Sequence, residues 1–226
     1  MGNAIVQALP SAVVVALSPI AIVGTVLMLL TGRGRLNGTA FVLGWIIGLA
    51  IVGAVCLSIA GRADSGEPTE RDRWLSVALL TVGVLLLLVA IRQWRGRTRE
   101  HNDVTAMRWL DAFGTFPPGK AAGAGVVLSV SPKNLLLAFA GVAEIVQTGI
   151  STEQQVVAYA VFVLIATLGI GTPLVIQLAL GGRSRRLLEG LKNWMIRHNT
   201  LIMAALSFII GVKLIADGLS GLARVR

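Results

Sequence analysis

Two short stretches place polar chemistry inside apolar sequence. Ser131-Pro132-Lys133-Asn134 interrupts an apolar segment with a helix breaker, an ammonium and an amide. Ser18-Pro19 repeats the first half of that pattern near the start of the chain. A proline inside a helix removes one backbone hydrogen bond and crowds the preceding turn, which frees carbonyls. Ser18 and Ser131 stand where their hydroxyls can bond those carbonyls. Lys133 adds a cation able to hold an anionic group, with Asn134 beside it to donate or accept. The plainer role for Lys133 is to cap the broken half-helix or to pair with a carboxylate. Intramembrane charge is costly and marks function by default, which favours the binding role.

A second set is Glu144, Lys213 and Asp217. Lys213 and Asp217 are one helical turn apart. Such groups usually pair, so a salt bridge between helices is the first expectation and a coupling-ion or proton relay the second. Enzyme chemistry has no foothold. The spans hold no paired-carboxylate, Cys/His metal or nucleophile–base constellation. His101 and His198 have no matching ligands nearby, and a P-loop is absent. The sequence therefore reads as a non-enzyme without metal or cofactor. Cys56 is the single cysteine, so no internal disulfide forms, and the two-cysteine thiol–disulfide carriers of related topology are excluded.

The elements that position these residues follow from composition. The 226 residues are 55% hydrophobic and 14% charged, against about a quarter charged in soluble domains. Met1–Gly32, Leu36–Gly61, Trp74–Ile91 and Gln154–Gly182 carry no charge at all. Each is long enough to cross about 30 Å of hydrocarbon at about 1.5 Å per residue. With Ala121–Val146 and about Thr200–Leu222, which hold isolated charges, the count is six spans. The fold class expected is an all-α integral membrane protein. A β-barrel would alternate in ten-residue segments instead. Lys133 falls about 18 Å into the fourth span, near the bilayer centre.

The net charge of +9 follows the membrane and not a nucleic acid. The first, third and fifth connections hold thirteen Lys and Arg residues, and the second and fourth hold three. The positive-inside rule then puts the odd connections in the cytoplasm and both termini outside it, in a multi-pass plasma (inner) membrane protein. The basic excess also attracts anionic membrane lipids. The uncharged start lacks a basic n-region and reads as a retained first helix. "RRLLEGLKNWMIR" and "VTAMRWLDAF" carry apolar stripes expected of helices lying in the interface. "GIGTP" (Gly169–Pro173) marks a flexible point, and Gly44 and Gly48 permit close helix packing.

Pro19 and Pro132 are half a chain length apart, and "AVVVALSPIAIV" aligns with "GVVLSVSPKNLL". This divides the chain into residues 1–113, with spans at about 4–31, 36–61 and 74–94, and 114–226, with spans at about 120–147, 154–182 and 199–222. Three spans per half invert the second half, so inverted repeats with broken first and fourth helices are expected. Residues Ser18, Pro19, Ser131, Pro132, Lys133 and Asn134 would then meet at a central site.

These features are similar to the lysine exporter superfamily: an early "LSP", then "SPKNLLL" in the fourth helix, with a basic central connection. Within it the chain resembles the GAP family, the Sap-like peptidoglycolipid-addressing proteins of actinobacteria. Ser131 stands where the family's "NPKN"-type motif has Asn. The resemblance implies export of a lipid or glycolipid towards the cell surface, alongside a large envelope-lipid transporter. Two readings stay open beside it: an exporter of a small solute such as an amino acid or cation, and a scaffold subunit of a larger lipid exporter. A homo-oligomer is compatible with each.

Overall fold

The computed structural model describes residues 1–63, 68–95 and 116–224, and side chains within 1–60, 73–92 and 116–223. "VTAMRWLDAF" lies outside them. The described residues form helices α1 (Gly2–Ala16), α2 (Pro19–Leu29), α3 (Gly34–Ala63), α4 (Pro68–Arg95), α5 (Pro118–Ser129), α6 (Pro132–Val146), α7 (Thr152–Leu180) and α8 (Ser184–Arg224). A 3-10 turn, Gly181–Arg183, joins the last two.

Three helical stretches are long and apolar enough to cross a membrane: Gly34–Ala60, Arg73–Arg92 and Thr152–Ala223. Counting each bent pair as one span adds α1 with α2 and α5 with α6, which makes five. The chain is an all-helical, multi-pass membrane protein. Its outer faces agree: Leu43, Ile47, Ile51 and Val55 form an exposed aliphatic stripe at four-residue spacing on α3. A helix apolar on both faces belongs in protein on one side and lipid on the other.

The stretch Thr152–Ala223 is not one straight rod. Its 72 residues would exceed 100 Å at about 1.5 Å per residue. Gly181 has φ 53°, a left-handed conformation that suits glycine, and closes α7. Beyond it, Leu188 of α8 packs beside Leu174 and Ile176 of α7, together with Val26 and Leu29 of α2. Lys213 then reaches Gln7 of α1. The chain therefore doubles back, and α8 returns to the end of the bundle where α1 begins.

Both bends sit at Ser-Pro. Ser18 and Ser131 have extended backbones, and Pro19 and Pro132 take the first helical position, where a missing N–H costs nothing. The axes turn by 52° between α1 and α2 and by 63° between α5 and α6.

Glycines set the closest helix contacts. A Cβ on Gly44 of α3 would lie 2.0 Å from the Ala122 carbonyl oxygen of α5, and one on Gly48 would strike the Ser129 side chain. On α7, a Cβ at Gly169 would lie 2.0 Å from the Ala16 carbonyl oxygen of α1. Gly169 thus serves packing. The flexible point expected at Gly169–Pro173 does not appear as a break, because α7 runs through Pro173 without interruption. Phe41, Trp45 and Leu49 of α3 fill the centre with Leu137 and Ile145 of α6 and Phe162 and Ile170 of α7. The Tyr159 hydroxyl donates to the Leu49 carbonyl at 3.0 Å, which satisfies a buried phenol.

One expectation is corrected. "RRLLEGLKNWMIR" is the beginning of the unbroken 41-residue helix α8 and not a separate interfacial helix. No glycine or proline lies between Lys192 and Leu201 to end the helix, so it continues.

Candidate functional site

The site is built upward from the second break. The last carbonyls of α5 lose their helical donors at Pro132. Val126 accepts from the Val130 amide and from the Ser129 hydroxyl at 2.7 Å. Leu128 accepts from the Ser131 amide and from Asn134 Nδ2 at 2.9 Å. The freed carbonyls are thus covered by Ser129 and Asn134. The sequence pointed to Ser18 and Ser131 instead, and neither hydroxyl makes a hydrogen bond among the described residues. As residues preceding the first helical position, they contribute extended backbone and not a side-chain bond.

Lys133 follows on α6. Its Nζ lies 3.4 Å from Met203 Sδ of α8, a weak acceptor. No carboxylate lies within ion-pair distance of it among the described residues. Asn134 is 1% exposed, and its Oδ1 has no partner among the described residues. On α8, Asn199 and Ser207 stand one turn to either side of Met203, hence on the same face. Asn199 Oδ1 and Ser207 Oγ are buried and likewise have no partner among the described residues. A half-buried ammonium therefore faces a helix stripe with unsatisfied oxygens. Buried polar groups ordinarily find partners, so this cluster suits a polar guest.

Pro19 is buried, whereas Pro132 is exposed and Ser131 half-buried. The first break brings no polar side chain beyond Ser18: Ile20 and Ala21 occupy the positions that Lys133 and Asn134 hold in the second. α1 packs on α6, so the two broken helices are in contact. Among the described residues no hydrogen bond joins the Ser18-Pro19 break to the Ser131-Pro132 break.

Glu144, Lys213 and Asp217 do come together. Lys213 Nζ donates to Glu144 Oε1 and, at 2.8 Å, to Asp217 Oδ2. It also donates to the Gln7 carbonyl at 3.1 Å. The Ser11 hydroxyl donates to Glu144 Oε2 at 3.1 Å. Helices α1, α6 and α8 are tied at one end of the bundle, with Glu144 2% exposed. Lys133 and Glu144 are eleven residues, three turns, apart on one face of α6.

Sequence reasoning missed Ser11, Gln7, Met203, Asn199 and Ser207. Only Ser11 carried a signal, as one of the few hydroxyls in the first apolar run. Among the described residues no group of three His, Cys, Asp or Glu side chains could hold a metal.

Neither the curated proteins nor the solved structures yield a match to this chain. A family profile does, over residues 8–220, and its description is Sap, sulfolipid-1-addressing protein. That match covers both Ser-Pro breaks, the Lys133 cluster and the Glu144–Lys213–Asp217 network. The chain belongs to the Sap, sulfolipid-1-addressing protein, family, in keeping with the Sap-like motif around Lys133.

Proposed function

We propose that the protein exports an envelope lipid or glycolipid towards the cell surface and holds its anionic group at Lys133. One observation carries this reading. Lys213, the other intramembrane lysine, is bound by two carboxylates, while Lys133 has none among the described residues. An ammonium beside a thioether and unsatisfied oxygens is a cation awaiting a counter-charge. The family's name joins it to the addressing of a sulfolipid, and a sulfo group is an anion at neutral pH. A cationic substrate would be repelled at the same position.

The chain is read here as six spans, α7 and α8 each counting as one, in two inverted halves. Matched packing at the breaks supports this. Ala16 and Ser129, each two residues before Ser-Pro, receive Gly169 and Gly48 respectively. The basic connections put both termini outside the cytoplasm. The Glu144–Lys213–Asp217 network then lies at the outer end and acts as a structural clasp. Impermeant thiol labelling of single cysteines tests the orientation: reaction at position 65 and not at 184 is expected, and the reverse refutes it.

Transport is tested by complementing a deletion strain and comparing its surface lipids with those of the parent. Restoration by the parent chain and failure by Lys133→Met, at equal abundance, is the expected result. Normal surface lipids with Lys133→Met overturn the role of Lys133. Lipid transfer by the purified chain in proteoliposomes separates a transporter from a scaffold subunit.

A further inference from the structure

At the opposite end of the bundle from the clasp, the connection between α2 and α3 closes against the end of α7. The connection is tight because a Cβ on Gly34 would lie 2.0 Å from the Leu29 carbonyl oxygen. Its shape is fixed by side chains. The Thr31 hydroxyl donates to the Met28 carbonyl at 2.8 Å, and Asn37 Nδ2 donates to Thr31 Oγ1 and to the Phe116 carbonyl. Between this connection and α7 lies a cavity of about 440 Å³, lined by Thr31, Arg33, Arg35, Leu36 and Gln177 with the backbone of Gly32 and Gly34.

The chemistry of that lining is one-sided. Two exposed arginines, Arg33 and Arg35, border it, and among the described residues no acidic one does. Neither Arg33 nor Arg35 has an ion-pair partner among the described residues. The first turn of α3 holds no acidic residue. The earliest bond of that helix runs from the Asn37 amide to the Arg33 carbonyl, so the amides of Arg35 and Leu36 have no helical acceptor. A Cβ at Gly181 would lie 4.0 Å from Arg35 Nη2, so the Arg35 guanidinium sits beside the turn that ends α7. Guanidiniums bind tetrahedral oxyanions through parallel N–H bonds, and free first-turn amides add to the same field. Leu36, 56% exposed, gives the rim an apolar side suited to an acyl chain.

We infer that this cup is a second binding site, for a phosphate or sulfate group of a lipid headgroup. It stands apart from the Lys133 cluster and takes its ligand from the leaflet at that end of the bundle. The simpler view is that Arg33 and Arg35 only fix topology, in which case any basic residue at that end would serve equally.

Native mass spectrometry of the purified full chain, offered phosphatidylglycerol and phosphatidylcholine, decides between the two. The parent is expected to retain phosphatidylglycerol selectively. Arg33→Gln with Arg35→Gln should weaken that retention about tenfold or more. Arg92→Gln, at an exposed position on α4 outside the cup's lining, should leave it unchanged. Inorganic phosphate at millimolar concentration then separates the sources. Displacement of the lipid means that the oxyanion alone suffices, and persistence means that the acyl portion is needed too; both agree with the site. Equal retention by the double Gln variant and the parent overturns the inference, as does an equal loss in Arg92→Gln. Should the double Gln variant fail to accumulate, Arg33→Lys with Arg35→Lys replaces it. That pair keeps charge but lacks the N–H fork, so retention equal to the parent's refutes the guanidinium site. Binding is read on the purified protein, so the result stands whether or not Lys133 carries transport.

Discussion

The two breaks share a backbone and differ in chemistry. Each has a serine in extended conformation, a proline at the first helical position and a bend, 52° in one and 63° in the other. After the first come Ile20, 43% exposed, and Ala21, 1% exposed. After the second come Lys133, beside Met203, and Asn134, bonded to the Leu128 carbonyl. The carbonyl matching Leu128 in the first break, that of Val15, accepts only the Ser18 amide among the described residues. Ser-Pro alone is therefore enough to bend a spanning helix. The lysine and asparagine are an addition that bending does not require, and this is why they are the better candidates for function.

Loss of the charge at the second break is expected to have the largest effect. Lys133→Met keeps side-chain length, so folding should survive while export falls to the level of a strain lacking the protein. Lys133→Arg should retain part of it, since charge persists with altered geometry. The matched change Ile20→Met should leave export intact, as measured by surface lipids. Loss of export with Ile20→Met would erase the distinction between the breaks.

The clasp comes next. Lys213→Met leaves the buried Glu144 uncompensated and should cost about 3–5 kcal/mol of stability, whereas Glu144→Gln leaves Lys213 its Asp217 partner and should cost less. Combining the two should recover much of that loss, because neither charge is then left alone. Thermal unfolding in detergent gives the comparison, and a double variant as unstable as the sum of the singles refutes the pairing. Asn134→Ala should cost about 1 kcal/mol through the lost bond to Leu128. The same measurement on Ala21→Gly provides the reference for helix propensity at the first break. Ser131→Asn should change least. Ser131 makes no side-chain bond, and unaltered abundance and export are expected.

The spans were legible because uncharged runs of this length have few other uses, and the breaks because proline cannot donate inside a helix. Lys213 and Asp217 were legible as a pair from their one-turn spacing. Their third partner was legible only as a charge in an apolar run, and Ser11 hardly at all. A hydroxyl says nothing about a carboxylate 133 residues away. The continuity of α8 was obscured by its basic residues, which suggested a surface helix; the missing breaker before Thr200 was the better signal. Arg33 and Arg35 counted towards orientation, and only the closing of α7 against them gives them a shared cavity.

The uninterrupted course of α8 has a mechanical consequence. At 41 residues it is about 60 Å long, roughly twice the hydrocarbon thickness. Ser184 at its start bonds Gln177, which lines the arginine cup; Met203 touches Lys133; Lys213 closes the clasp. No proline interrupts the helix between these three stations, and α8 runs through Gly190 and Gly211 as one continuous helix. Displacing one end along the axis shifts the register of the other two by the same distance. α8 is thus a pushrod, and a displacement of its first turns, where Ser184 and Leu188 are buried against α7 and α2, is passed along the axis to Met203 and Lys213.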